Sequence, residues 1–269
     1  MPELPEVETT RRGLEPHLTG VHLTGAAVRD PRLRYPVPHD LRRRVDGCRV
    51  TSVGRRGKYL TVTLDRGGLL FHLGMSGSLR IVSAAEPPRP HDHVDLLLEG
   101  GAALRLHDPR RFGCVLFTDA PFESHPLLAR LGPEPLGDGF DGGYLFRRSR
   151  GRRGPVKAFL MDSAVVVGVG NIYASEALFR AGIRPDRAAG RISEARYRRL
   201  AEAAREVLRE AIAAGGTTLR DYLGSDGRPG YFALDLAVYG RDRCRTCGAE
   251  IRRVRLAQRG TYFCPRCQR

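Results

Sequence analysis

"YLTVTL" (59–64), "DRGG" (65–68) and "LLFHL" (69–73) together decide how the first half of this chain folds. Leu60, Val62 and Leu64 alternate with Tyr59, Thr61 and Thr63, the period of two expected of a strand with one apolar face. The glycine-bearing turn then leads into a second apolar run. The pattern recurs downstream, where "EGGA" (99–102) separates "HVDLLL" (93–98) from "ALRLH" (103–107). From about His22 to Thr118 this rhythm predicts roughly eight short strands arranged as an antiparallel sandwich. Ahead of them, "MPELPEVE" (1–8) reads as a helix start, with Pro5 at the first helical position and glutamates in its first turn complementing the helix dipole.

Beyond the strands the pattern changes. The Pro/Gly-rich "LGPEPLGDGF" (131–140) and the basic run "RRSRGRR" (147–153) read as an interdomain linker. Tyr197, Leu200, Ala201, Ala204, Val207, Leu208, Ala211 and Ile212 then recur at three and four, an amphipathic helix with Ser193 as N-cap and Gly215-Gly216 as its end. A second helix is predicted in "NIYASEALFRAG" (171–182), stopped by Gly182.

The chain has 269 residues, enough for two domains with separate cores and a small third module. It has no run of about 18 apolar residues, so no membrane span is expected. Its acidic N-terminus lacks a secretory pattern, so a cytoplasmic protein is expected. The net charge of +15 points to a polyanion, and nucleic acid fits better than a membrane surface because no basic amphipathic segment carries aromatic anchors. Of 45 basic residues only Lys58 and Lys157 are lysine. Base composition can replace lysine by arginine wherever any cation serves, so the two exceptions mark positions suited to a compact, titratable ammonium.

Cys244-x2-Cys247 and Cys264-x2-Cys267 lie in the last 26 residues. Thiolate pairs two residues apart, brought together by a hairpin, form a tetrahedral zinc site with four protein ligands and no open position. The predicted ion is a single structural zinc. Disulfides are the alternative, disfavoured in a cytoplasmic chain. Arg252, Arg253, Arg255 and Arg259 lie between the pairs, suited either to gripping phosphate or to a solvated basic loop. Cys48 and Cys114 read as buried spectators.

Ordered along the chain stand "PELPEVETTRRGLEPHL", "RRGKYL", "HLGMSGSLRI", "HDHVDL", "DPRRFG", "LMD", "VVGVGNIYASEALF", "GGTTLRDYL", "SDGRPGYF" and the four-cysteine hairpin. This series resembles the bacterial formamidopyrimidine-DNA glycosylase family over essentially the whole length. The related endonuclease VIII group normally opens Pro-Glu-Gly and lacks "HLGMSGSLR". The resemblance implies an α+β multidomain protein: an N-terminal antiparallel β-sandwich with an N-terminal helix (1–132), a linker (133–154), a helix-two-turns-helix domain (155–235) and a zinc-finger hairpin (236–269). It further implies a bifunctional enzyme of base excision repair, excising 8-oxoguanine and formamidopyrimidines and cleaving the strand by β- and δ-elimination. The partner would be damaged double-stranded DNA, the protein a nucleoid-associated monomer.

Carried over by motif, Pro2 is the Schiff-base nucleophile, Glu3 handles protons at base and sugar, Lys58 serves β-elimination and Arg259 δ-elimination. Met75, Arg110 and Phe112 match residues that enter the duplex where the damaged base leaves. His72, His91, Arg152, Asn171 and Tyr239 match DNA-contacting positions, and Lys157 is expected near the damaged nucleotide and its flanking phosphate. In "GVGN" (168–171) the glycines permit close backbone approach, and the helix start at Asn171 offers amide donors to a phosphate.

The chemistry suits these residues. Removal of Met1 exposes the Pro2 secondary amine, whose pKa near 7.7–8.0 gives a neutral fraction about a hundredfold above that of a lysine at neutral pH. Its attack on the sugar C1′ gives an iminium with no N–H to lose, a standing electron sink for elimination. Two rival readings remain at this point: an endonuclease VIII-like enzyme for oxidised pyrimidines, and a non-enzymatic zinc-ribbon DNA-binding protein.

Overall fold

The computed structural model describes residues 2–216 and 236–269. The stretch "TTLRDYL" and the motif "SDGRPGYF" lie outside the described residues. One compact unit contains Met1–Ala129; a second contains Arg130–Ala214 and the described C-terminal residues.

The first unit opens with α1 (Leu4–Leu18), which has Glu3 as N-cap and Pro5 in its first turn. Leu4, Val7, Leu14 and Leu18 are buried, each worth about 1.5–3 kcal/mol before ordering costs. The eight predicted strands follow: β1 (Leu23–Val28), β2 (Val50–Arg56), β3 (Tyr59–Leu64), β4 (Gly68–His72), β5 (Ser78–Ser83), β6 (Asp92–Leu98), β7 (Ala102–His107) and β8 (Cys114–Thr118), with the short α2 (Leu41–Val45) before β2. They form two antiparallel four-stranded sheets, ordered β1-β6-β7-β5 and β2-β3-β4-β8. Leu60, Val62 and Leu64 of β3 lie in the shared core, which also holds Phe71, Leu79, Leu96, Leu104 and Val115. Val7, Leu14 and Leu18 of α1 belong to the same core, so the helix is part of the sandwich.

The first sheet also buries charge. Arg105, fully buried on β7, makes a two-pronged contact with Asp95 opposite it on β6 (2.9 and 2.8 Å). Asp95 also accepts from Arg29, while Asp92 accepts from Arg80 (3.4 Å) and pairs with His107 (2.9 Å). Burial opposes ionisation of Asp95, but the hydrogen bonds from Arg29 and Arg105 outweigh it and hold its carboxyl below the ordinary range.

The second unit includes the stretch expected to be a linker. Residues 133–154 carry a helix, α3 (Gly142–Ser149), whose N-cap Asp141 accepts a hydrogen bond from the Tyr144 backbone N–H at 2.6 Å. Phe140 and Leu145 are fully buried. A Cβ on Gly142 would stand 2.3 Å from the Arg198 Cα, so this glycine permits close helix–helix contact and does not mark flexibility. After α4 (Val156–Leu160) come α5 (Asn171–Arg180) and α6 (Glu194–Ala213), the two predicted helices, with Gly182 left-handed after the first and Ser193 as N-cap of the second. The chain closes on the hairpin of β9 (Arg252–Leu256) and β10 (Arg259–Phe263). No helix among the described residues is long and apolar enough to cross a membrane.

Candidate active site and nucleic-acid interface

At the start of α1 the Glu3 backbone N–H donates to Glu6 Oε2 at 2.8 Å, and the Glu3 side chain accepts from the Glu6 backbone in return. This reciprocal cap satisfies two of the helix's orphan donors. Pro2 and Glu3 are both buried as a result. One turn on, Glu8 accepts from Arg11 (3.1 Å), Arg12 (2.9 Å) and Arg55 of β2 (3.1 Å), which ties the helix to the sheet. Burial resists ionisation of Glu8, yet the arginines prevail and its pKa lies below the ordinary carboxylate value. The chain's opening residues are therefore held on both flanks.

Lys58 sits with Gly57 in the two-residue turn joining β2 to β3, one position before the strand, and Gly57 supplies the positive φ of 57° that the turn needs. Its neighbour Tyr59 pairs across the sheet with His72, ring centroids 4.8 Å apart. His72 Nδ1 accepts from the Gly74 backbone N–H at 3.0 Å, so the ring's remaining proton belongs on Nε2. Burial, then the charges of Lys58 and Arg34, push the His72 pKa down to about 4. At neutral pH His72 is an uncharged donor, able to hydrogen-bond a phosphate without adding charge.

Two loops carry the residues expected to enter the duplex. Met75 is half-buried between β4 and β5. Arg110 and Phe112 are exposed between β7 and β8, the guanidinium 5.0 Å from the ring centroid, and Phe112 is 45% exposed. An aromatic presented this openly is poorly explained by core packing. Arg111 between them turns the chain at φ 57° and pairs with Asp30 at 2.7 Å, which leaves its two neighbours facing outward. His91, also exposed, takes φ 73° beside the buried Asp92 and His93.

In the second unit Arg152, Arg153 and Arg191 line an open hollow of about 480 Å³, a basic concavity suited to phosphate. Lys157 lies on α4 of the same unit. It is 1% exposed, and its Nζ donates to Asn171 Oδ1 (2.7 Å), Thr261 Oγ1 (2.9 Å) and Gly260 O (3.3 Å). These bonds fasten α4 and α5 to the hairpin. Asn171 completes the strap, donating from Nδ2 to Gly260 O (3.0 Å) and to the Tyr239 hydroxyl (3.2 Å). Arg259, exposed at the start of β10, directly precedes Gly260, and it follows a tight turn in which Ala257 and Gln258 take φ 45° and 63°.

The four cysteine Sγ atoms lie within 4.8 Å of one another, with Cys244–Cys267 at 3.8 Å and Cys247–Cys264 at 3.5 Å. Tetrahedral zinc with Zn–S near 2.3 Å requires S···S separations of about 3.8 Å, so the quartet fits the ion. Val238, Ile251, Phe179 and Tyr262 pack around it, a core too small to order a hairpin unaided. Cys244, Cys247, Cys264 and Cys267 hold one structural zinc.

Three partners escaped the sequence reading. Glu176 accepts from the backbone N–H groups of Ala237, Val238 and Tyr239 (2.8–3.0 Å) and so positions Tyr239. The Arg105–Asp95–Asp92 cluster holds His107, and Asp108 bridges the loops of Met75 and Phe112. These contacts join separate loops or strands, and no local spacing announces them.

The chain thus joins a β-sandwich with a capped N-terminal turn, a helical unit and a four-cysteine zinc hairpin. Family models match along the chain: the formamidopyrimidine-DNA glycosylase N-terminal domain over residues 1–115, the formamidopyrimidine-DNA glycosylase H2TH domain over 131–222, and the zinc finger found in FPG and IleRS over 241–269. The formamidopyrimidine-DNA glycosylases of Halorhodospira halophila and Methylococcus capsulatus are 63% and 61% identical, each match covering 100% of both chains. Among solved structures, the MutM (Fpg) protein of Thermus thermophilus is similar at 45% identity with a TM-score of 0.89, covering 99% of this chain and 98% of that one. A complex of the Lactococcus lactis Fpg (MutM) with a Fapy-dG-containing DNA is similar at 32% identity and 0.91, covering 99% and 100%. The chain belongs to the formamidopyrimidine-DNA glycosylase family. It is a DNA glycosylase.

Two outcomes follow from this geometry. Lys157→Ala strands three acceptors at the base of the hairpin and removes charge-assisted bonds worth about 1.5–3 kcal/mol each at most. Zinc release to a chelator should therefore accelerate by at least tenfold, while Lys58→Ala leaves it unchanged. For His72, the unfolded state takes up a proton below its ordinary pKa of 6.5 and the native state only near 4. The stability His72 contributes is thus complete above pH 6.5 and lost as pH falls toward 4, at most about 3 kcal/mol. Urea unfolding of His72→Gln at pH 7 and pH 5 should show a smaller loss on acidification than the parent protein.

Proposed function

We propose that this protein excises oxidised purines from duplex DNA through its Pro2 amine and then cleaves the abasic strand. The observation that carries the reading is the buried, reciprocally capped N-terminal turn holding Pro2 and Glu3 in a chain of this family. With Met1 removed, the neutral Pro2 nitrogen attacks C1′ as the bond from C1′ to the base breaks, and the departing base takes a proton. Glu3 handles protons at the base and at the opened sugar. The adduct nitrogen loses its proton, and protonation of O4′ breaks the C1′–O4′ bond to give the iminium, which acidifies the C2′ hydrogen; its loss expels the 3′ phosphate, and a second elimination expels the 5′ phosphate. Lys58 serves the first elimination and Arg259 the second.

The lesion must leave the stack for C1′ to be reached. Met75 and Phe112 fill the gap, flexible and flat respectively, and Arg110 donates to the orphaned cytosine. His72, His91, Arg152, Asn171 and Tyr239 hold the flanking backbone, with Lys157 acting through Asn171 and the hairpin. The Lactococcus lactis protein is seen with Fapy-dG DNA and with abasic-site DNA, which supports both halves of the reaction for this chain. The protein acts as a monomer on DNA in the nucleoid.

A protein carrying one extra residue before Pro2 should bind 8-oxoguanine duplex but form no borohydride-trapped adduct on it. The unextended protein should process 8-oxoguanine duplex faster than thymine glycol duplex. Trapping by the extended protein removes Pro2 from the mechanism; the reverse substrate order favours the oxidised-pyrimidine alternative.

A further inference from the structure

Asp108 is fully buried, yet it lies in "DPRRFG", the segment that presents Arg110 and Phe112. Its carboxylate spans two loops. Oδ2 accepts the Gly113 backbone N–H at 2.8 Å, closing its own loop behind Phe112. Oδ1 accepts the Ser76 hydroxyl at 3.3 Å, reaching the loop that carries Met75. Its main chain reaches a third segment. The Asp108 N–H donates to His91 O at 3.0 Å, and the Asp108 carbonyl accepts from His93 Nε2 at 2.9 Å.

The loops approach so closely that little else fits there. A Cβ on Gly74 would stand 2.5 Å from the Phe112 carbonyl carbon, and one on Gly113 would stand 2.5 Å from His72 O and 3.0 Å from Asp108 Oδ2. Glycines at both positions thus let the two backbones touch, and one carboxylate pins them at the point of contact. A lone loop tip bearing an exposed aromatic would sample many conformations and lose that entropy each time it entered a duplex.

We infer that Asp108 is a positioning residue that locks the Met75 loop and the Arg110–Phe112 loop, together with the His91 segment, into one preformed wedge. The inference rests on the reading that Met75, Arg110 and Phe112 fill the gap left by the everted base. Asp108 itself touches no substrate. Its carboxylate keeps two separately encoded loops in register, so that three side chains enter the helix as a unit.

The test compares Asp108→Ala, Asp108→Asn and Phe112→Ala in the full-length zinc-loaded protein. Asparagine can accept from Gly113 N–H and donate to Ser76 Oγ, so it keeps both bridges without the charge. Single-turnover excision from 8-oxoguanine duplex should fall roughly ten- to hundredfold in Asp108→Ala and recover most of that in Asp108→Asn. The fluorescence rise of a 2-aminopurine beside the lesion, which reports wedge entry, should disappear and return in the same order. Strand cleavage at an abasic site in single-stranded DNA has no gap to fill and should fall far less. Equal losses on duplex and single strand, or no recovery in Asp108→Asn, overturn the inference in favour of a general folding role. Loss in Phe112→Ala with none in Asp108→Ala overturns it too and leaves the gap-filling reading standing. No loss in either variant overturns the gap-filling reading itself. If Asp108→Ala does not fold, Ser76→Ala severs the bridge to the Met75 loop alone, and an undiminished aminopurine signal there contradicts the inference.

Discussion

A hydrogen bond of 2.8 Å from the Glu3 backbone N–H to the Glu6 carboxylate fixes where this chain begins. A protein terminus ordinarily frays, because ordering each residue costs about 1–2 kcal/mol of backbone entropy and few contacts offset it. Here the second residue is placed by a helix cap, and the helix is placed by Val7, Leu14 and Leu18 in the sandwich core. Glu8 and Arg55 add a lateral tie. The two sheets are thus the foundation of the N-terminal turn, and the proposed main-chain amine nucleophile rests on them.

The same dependence governs the other proposed contact residues, which rest on buried charges. The loop of Arg110 and Phe112 is closed by Asp108, and the Tyr239 backbone is held by Glu176. Buried carboxylates that accept backbone N–H groups are costly to desolvate unless every lone pair is answered. Once answered, they hold irregular loops in one shape where neither helix nor sheet can. Lys157 does the corresponding work with positive charge. One ammonium nitrogen reaches Asn171, Gly260 and Thr261 together, whereas a guanidinium would spread its donors over a planar fork.

Much of this was legible in the sequence, because its causes are local. Alternation in Leu60, Val62 and Leu64 marked a strand, the three-and-four spacing from Tyr197 to Ile212 marked α6, and paired cysteines marked the zinc hairpin. What escaped depends on contacts between distant residues. Helix α3 hid in a stretch rich in proline, glycine and arginine, because its glycine serves contact with Arg198 of α6, 56 positions later (198 − 142). The inward turn of Lys157 depends on acceptors more than a hundred residues away. Asp108 and Glu176 were visible as motif letters, but their partners appear only once the loops are folded together.

The central claim is that the amine of Pro2, placed by its helix cap, forms the covalent bond to the sugar. The most direct measurement is to reduce the complex with abasic DNA by borohydride, digest it, and locate the nucleotide-bearing peptide by mass spectrometry. The account predicts a single adduct on the peptide that begins at Pro2 and lacks Met1, with the modification on its terminal nitrogen. An adduct on Lys58, or on a peptide retaining Met1, would contradict it.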